Sequence, residues 1–209
     1  MKPEAFIRAN AVLIAPPIVP EIKLYLATEV VPLWRATEDE LAKIGVPPPY
    51  WAFAWAGGQA LARYILDNPA LVSGKTVLDI GSGSGLVALA AARAGAAQVL
   101  AADIDAFACA AIGLNAAANQ LDIAVTQDDI IGQTGAWDVI LVGDLFYERP
   151  LAERLLAWLA PLKATALLGD PGRSYFPKQG VEKLATYTVQ TTRDLEDREI
   201  RETGVYRLV

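Results

Sequence analysis

The sequence predicts an α/β domain, a mostly parallel sheet with helices on both faces, from three observations. The stretch Lys75 to Asp103, KTVLDIGSGSGLVALAAARAGAAQVLAAD, reads as a buried strand, a glycine loop, a helix and a second strand ending in an acid. Three more apolar runs, Ile123 to Thr126, Trp137 to Gly143 and Ala164 to Leu168, each lead into an acid within a few residues. Between them lie alanine-rich or amphipathic stretches at helical spacing, the alternation that builds a parallel sheet.

In chain order, residues 1–50 are punctuated by Pro16, Pro17, Pro20, Pro32 and Pro47 to Pro49, and X-Pro steps disfavour helix, so the region reads as an extended cap laid over the domain. Within it Ala11 to Ala15 is a strand candidate and Glu21 to Ala27 a short helix or strand. Tyr50 to Trp55, YWAFAW, leads into Gly57, Gly58 and a helix from Gln59 to Asp67 that Asn68-Pro69 stops. Either tryptophan alone reads first as core packing, but the aromatic segment and Gly-Gly helix start just before the glycine-loop unit also read as the mouth of a pocket, where an indole face suits a cation. Leu86, Leu89 and Arg93 mark the next helix, which Gly95 ends. A helix follows from Ala106 to Asn119, then the strand into Asp128-Asp129. Trp137 to Gly143 is the most apolar strand and belongs at the sheet centre. It delivers Asp144-Leu145-Phe146-Tyr147 at its tip. Pro150 to Leu159 reads as a helix, Val181 to Leu184 as a short helix, and Thr186 to Thr192 and Gly204 to Val209 as strands joined by a charged link, Arg193 to Glu202.

Composition bounds the function. At 209 residues the chain is one domain, or one with an N-terminal extension, and its 54% apolar content, much of it alanine, suits helices packed closely on a sheet. A net charge of −6 disfavours a nucleic-acid footprint, which takes clustered Lys and Arg. With no histidine and one cysteine, Cys109, the usual zinc sets, His-based triads and an internal disulfide are excluded, and no metal is expected. Cys109 reads as a packing residue in its helix. The N-terminus lacks a signal-peptide pattern and no long uncharged apolar run occurs, so the expectation is a soluble, cytoplasmic protein without a membrane segment.

The loop spacing narrows the ligand. A dinucleotide fingerprint G-x-G-x-x-G starting at Gly81 would put its third glycine where Leu86 stands. That spacing, and the absence of a Tyr-x-x-x-Lys pair, disfavours a nicotinamide-dependent reductase. The residues read D-x-G-x-G-x-G, and this resembles motif I of the seven-strand S-adenosylmethionine-dependent methyltransferases. A carboxylate at Asp79 would repel a phosphate but suits the cationic end of that cofactor. Asp103, at the second strand tip, is set to accept hydrogen bonds from ribose hydroxyls. Asp128 is set either to take the adenine amino group or to stand solvated.

The resemblance becomes specific across nearly the whole chain. PEIKLYLAT (Pro20 to Thr28), PYWAFAWAGGQALARYILDNP (Pro49 to Pro69), VLDIGSGSG (Val77 to Gly85), ADID (Ala102 to Asp105), GDLFYE (Gly143 to Glu148) and GDPGR (Gly169 to Arg173) are similar to the electron-transfer flavoprotein β-subunit lysine methyltransferases. D-L-F-Y resembles the DxxY motif of that protein-lysine methyltransferase group. Where the family segment usually reads W-P-G-G, Ala56 replaces the proline, a loss of rigidity before Gly57.

The resemblance implies a Rossmann-like seven-strand sheet with an antiparallel C-terminal strand, residues 1–50 being an extension and 51–209 the core. It implies S-adenosyl-L-methionine as cofactor, with Trp55 and Gly58 bordering its methionine end, Asp79, Gly81 and Gly83 holding that end, Asp103 the ribose, Asp128 the adenine, and Gly143 also at the cofactor. Asp144 orients the target amine, with passage of its proton to water or positioning alone as the two readings, Tyr147 walls the lysine channel, and Phe146 and Arg173 border the protein substrate, Phe146 reading also as packing. The partner implied is the flavoprotein β subunit, met by a monomer. A ribosomal protein or a small molecule as acceptor, and a cofactor sensor without turnover, are the rival readings.

Overall fold

Alternation along the strands decides how the sheet is covered. In the computed structural model, which describes residues 2–28, 47–191 and 200–209, β3 (Thr76–Ile80), β6 (Val139–Gly143) and β7 (Thr165–Asp170) send successive side chains to opposite faces. Val77, Val139, Leu141 and Leu167 enter one apolar cluster; Leu78, Ile80, Ile140, Val142, Ala166 and Leu168 enter the other. Both faces are therefore buried, which requires the continuous apolar runs seen in the sequence. Each of these larger side chains contributes roughly 1.5–3 kcal/mol by leaving water.

These strands join β4 (Gln98–Ala102), β5 (Ala124–Thr126), β8 (Val181–Gln190) and β9 (Ile200–Leu208) in one sheet of order β5-β4-β3-β6-β7-β9-β8. β6 is its centre, as its hydrophobicity predicts. The pairs from β5 to β7 are parallel, and β9 runs against both neighbours. The chain leaves β3 toward β4 and β5, then returns to β6 on β3's other side. That reversal opens a crevice above the carboxyl ends of β3 and β6, the ordinary place for a ligand in such sheets.

Helices α2 (Ala56–Asp67), α3 (Leu86–Arg93) and part of α4 (Ala106–Asn119) fill one face, and α5 (Arg149–Leu159), with Ala152, Leu155, Trp158 and Leu159, fills the other.

Two expectations need correction. Val181 to Leu184 is not a helix but the start of β8. A register shift between Lys183 and Ala185 leaves Leu184 as a bulge, so Leu184 and Ala185 pack with one cluster and Val181 with the other. That three-residue apolar spacing imitates a helix. The charged link expected at Arg193 to Glu202 lies partly outside the described residues, and its last three residues, from Ile200, belong to β9.

Nor is the N-terminal region wholly extended. α1 (Pro3–Asn10) has proline at its start, Glu4 in its first turn and Arg8 in its last, and it buries Phe6 and Ile7. Phe6 meets Phe107 of α4 edge to face at 5.5 Å. β1 (Val12–Ile14) and β2 (Leu24–Leu26) form an antiparallel pair tied to α4 by two asparagines. Asn119 accepts from Lys23 N–H at 2.9 Å and donates to Lys23 O at 2.6 Å, imitating a neighbouring strand. Asn115, fully buried, accepts from Tyr25 N–H at 2.8 Å and donates to Ser84 O at 2.7 Å, joining this pair to the glycine loop.

Candidate active site

The glycine loop is held by the acids on either side of it. At Gly81 φ is +60°, and an added Cβ would lie 2.6 Å from the Leu145 side chain, so only glycine fits. Asp79 Oδ2 accepts from Ser82 Oγ at 2.6 Å and from Ala88 N–H at 3.0 Å, bracing the loop against the first turns of α3. Burial pushes its pKa up to about 7, against the two hydrogen bonds and helped by the nearby Asp103 charge. Asp103 Oδ2 accepts from Gly83 N–H at 2.8 Å and Oδ1 from Asp105 N–H at 3.0 Å, and burial raises its pKa as well. Each oxygen keeps a lone pair for a ligand. Cys109 lies behind this wall with Sγ–H donating to Asp103 O at 3.2 Å, and burial lifts its pKa to about 11, so it is an inert packing thiol.

The facing wall is assembled from distant parts of the chain. Asp144 follows β6 in the left-handed region, φ +63°, with its side chain buried. Its backbone N–H donates to Gly169 O at 2.9 Å. Oδ2 accepts from Gly57 N–H at 2.8 Å, a carboxylate set against the amino end of α2, and Oδ1 accepts from Arg173 Nε at 2.5 Å. These bonds need α2 to sit directly on the strand tips. A Cβ on Gly57 would fall 2.4 Å from Gly169 O, and one on Gly169 would fall 2.1 Å from Gly57 O. Ala56 occupies the first helical position, where proline is well tolerated, so the replacement costs no hydrogen bond. Arg173 is aimed by Asp170, whose Oδ1 accepts from the N–H groups of Gly172 and Arg173, both at 2.7 Å. Burial raises the Asp170 pKa to about 6, and its buried Oδ2 has no hydrogen-bond partner.

Aromatic rings edge the opening. Tyr50 begins a 3-10 turn, Tyr50–Ala52, whose Trp51 is fully buried. The Tyr50 carbonyl accepts from Trp55 Nε1 at 2.9 Å. The Tyr50 ring lies 6.1 Å from Trp55 and 5.9 Å from Tyr147 between centroids. The Arg173 guanidinium stands 5.8 Å from the Trp55 centroid. Burial first, then the neighbouring Tyr50 and acids, pushes the Tyr147 hydroxyl up to about 12, so it stays protonated at any physiological pH.

A cavity of about 510 Å³ opens between these walls. Trp55, Gly81, Gly83, Asp103, Asp128, Gly143, Asp144, Tyr147 and Arg173 all line it. A recess of about 40 Å³ carries Gly58 and Asp79 and shares Trp55, Gly81, Gly83 and Gly143 with the cavity. Asp128 is exposed at the rim and accepts from Thr126 Oγ1 at 2.9 Å, while its neighbour Asp129 pairs with Arg154. Phe146 is the sequence candidate not brought to the site: it is fully buried and packs edge to face on Phe176 at 5.2 Å, the packing alternative. DLFY sends its acid and tyrosine toward the cavity and its phenylalanine into the core.

Sequence reading missed Ile104, 71% exposed on the lining, and Ile130 and Ile131, while Tyr50 lies on the lining as part of the aromatic segment expected at the pocket mouth. Ile104 carries a legible signal, an aliphatic residue between two acids just after a strand tip.

The strand order with one reversed strand, and a glycine loop pinned by acids at two adjacent strand tips, define the class of the Rossmann-like, seven-strand methyltransferases. Among solved structures, magnesium protoporphyrin IX methyltransferase from Synechocystis with bound S-adenosylmethionine shares the fold at a TM-score of 0.55, covering 73% of this chain and 78% of that one at 16% identity. The family model for ribosomal protein L11 methyltransferase (PrmA) matches residues 60–145. Electron transfer flavoprotein beta subunit lysine methyltransferase of Xenopus laevis is 38% identical over 98% of this chain and 86% of its own length; that of Mus musculus is 40% identical over 90% and 77%. This chain belongs to the electron transfer flavoprotein beta subunit lysine methyltransferase family.

Proposed function

We propose that the chain methylates lysine on the beta subunit of electron transfer flavoprotein, the substrate in its relatives' names, with S-adenosylmethionine as donor. One observation carries this reading: the glycine-loop recess and the Asp144–Tyr147 wall open into the same cavity, so a donor on one side meets an acceptor on the other. The residues present fit the cofactor. The loop offers bare backbone, Asp79 and Asp103 offer carboxylate to cationic and hydroxyl groups, and the Trp55 face suits a sulfonium.

Bound there, the cofactor would supply an electrophilic methyl group for a neutral amine of the acceptor. Asp103 would hold the ribose and Asp128 the adenine edge, with Gly58 and Gly143 leaving room for close approach. A lysine amine has a pKa of about 10.4, so it arrives mostly protonated. Asp144 attracts and orients it, and water at the mouth takes the proton. Because Oδ1 of Asp144 already holds Arg173, the incoming amine shares that oxygen or displaces the guanidinium. Tyr147, a neutral phenol, walls the channel, and Arg173 borders the protein substrate.

We read residues 1–209 as one class I methyltransferase domain, 1–50 being an extension secured by Asn115 and Asn119 and 51–209 the core. It works as a monomer, since one chain supplies every wall of the cavity, and in the cytoplasm, where its lone thiol stays reduced. No described helix is long and apolar enough to cross a membrane.

The test is incubation with labelled S-adenosylmethionine and an extract lacking this protein, with mass spectrometry of the labelled band. A single band at the flavoprotein beta subunit is expected. Label on a ribosomal protein keeps the chemistry and moves the substrate, and cofactor binding without any protein label overturns the lysine reading.

A further inference from the structure

Trp55, Tyr50 and Tyr147 form a continuous arc of rings along the cavity, with Tyr50 at its middle. The arc is built rather than incidental. Tyr50 N–H donates to Pro48 O at 2.8 Å and Ala52 N–H to Pro49 O at 2.9 Å, so a tight turn rooted in the buried Trp51 fixes the Tyr50 backbone. The Tyr50 carbonyl, besides taking the Trp55 indole N–H, lies 4.0 Å from where a Cβ on Gly83 would stand. Tyr50 therefore bridges the glycine loop and the Asp144–Tyr147 wall. Tyr50 is 50% exposed and Tyr147 41%, so both residues stand at the lip of the cavity. The surroundings are negative, with Asp103, Asp105 and Asp144 on the same cavity, and one cation, the Arg173 guanidinium, already stands against the Trp55 end. Ring faces beside carboxylates are a site for a cation, and they favour one that has lost its tight hydration.

We propose that Tyr50 is an acceptor-binding residue: its ring, with that of Tyr147, receives the ammonium of the target lysine and holds its methylated forms more firmly than the unmethylated amine. This rests on the lysine reading above. An ammonium gives three N–H donors to water, whereas each added methyl removes one and enlarges the apolar surface that the rings cover. The arc thus retains a partly methylated side chain beside the donor, and each further transfer to the same nitrogen follows loss of its proton to water at the mouth.

The experiment compares wild type, Tyr50→Ala and Tyr50→Phe with the flavoprotein beta subunit as acceptor, reading acceptor KM, kcat, the mono-, di- and trimethyl distribution by mass spectrometry, and S-adenosylmethionine Kd. Tyr50→Ala is expected to raise acceptor KM about tenfold and to depress later transfers more than the first, with cofactor Kd within about twofold. Tyr50→Phe keeps the ring and restores most of both. An unchanged KM and distribution in Tyr50→Ala, or a phenylalanine variant as impaired as the alanine one, overturns the proposal. A rise in cofactor Kd as large as the rise in KM overturns it too, because it assigns the ring to the donor. Tetramethylammonium titration followed by tryptophan fluorescence reads the arc without any acceptor: saturable quenching weakened in Tyr50→Ala supports it, and identical titrations oppose it. Should wild type label no protein, the lysine reading fails while that titration still decides the cation site.

Discussion

The two walls of the cavity do similar work by opposite means. The glycine-loop wall comes from one stretch of chain, residues 79–105, and its carboxylates hold backbone N–H groups of their own neighbourhood. The facing wall draws on residues 57, 144, 169 and 173, and its carboxylate holds a helix end and a guanidinium from elsewhere. A wall closed by local contacts tolerates loss of one side chain as a local loosening. A wall closed by distant contacts fails together, since each member fixes the position of the others.

The sharpest way to break this contrast is Gly169→Ala. Its methyl group would stand 2.1 Å from the Gly57 carbonyl, backbone against backbone, so α2 must lift from the strand tips. The expected cost is about 3 kcal/mol or more, read as a large drop in melting temperature with loss of activity. A variant that melts like wild type would show that α2 yields freely there. Next comes Asp144→Asn, which keeps the shape and removes the charge that Arg173 and the incoming amine share. We expect kcat to fall about a hundredfold while cofactor Kd moves less than that, because misplacing a reacting group is costlier than losing one contact. Full turnover with intact cofactor binding would end the positioning role of Asp144. Asp103→Asn should do the reverse, weakening the cofactor about tenfold by calorimetry with acceptor KM little changed.

The smallest effect is a pH dependence confined to the first wall. In the free protein Asp79 titrates at about 7, far above an ordinary carboxylate, because it is buried. Its neutral form is favoured by the fold, so this group's contribution to stability is full below about pH 4 and is lost as pH rises through 7. A cation bound beside it reverses the preference, so binding below pH 7 expels a proton. Cofactor affinity should therefore fall as pH drops from 8 to 6, by up to about tenfold for the last unit, and Asp79→Asn should flatten the profile. A slope unchanged in that variant would assign the titration elsewhere.

The same contrast explains what the sequence could disclose. Asp79, Gly81, Gly83 and Asp103 sit within one strand–loop–helix–strand unit, whose spacing carries the geometry, and the strands Thr76–Ile80 and Gln98–Ala102 lie where the apolar runs predict them. The pairing of Asp144 with Gly57 and Arg173 has no local pattern; only resemblance brought those segments to one site. Phe146 is tied to the site by its motif, with packing as its other reading, and the turn after Asp144 sends it, with Leu145, into the core. Ile104 carries its signal only in composition, an aliphatic residue between two acids, and the three-residue step from Val181 to Leu184 gives β8 a false helical period. Proline punctuation concealed α1, because Pro3 begins that helix instead of breaking it.

Asn115 gives this architecture a mechanical property. One side-chain amide, 0% exposed, clasps Tyr25 with its oxygen and Ser84 with its nitrogen, so two segments about sixty residues apart share a single rivet. Shearing the N-terminal pair away leaves a buried amide half-bonded and slackens the far rim of the glycine loop at the same moment. The two segments therefore stiffen or loosen together, and amide hydrogen exchange in β2 becomes a remote gauge of how tautly the glycine loop is held.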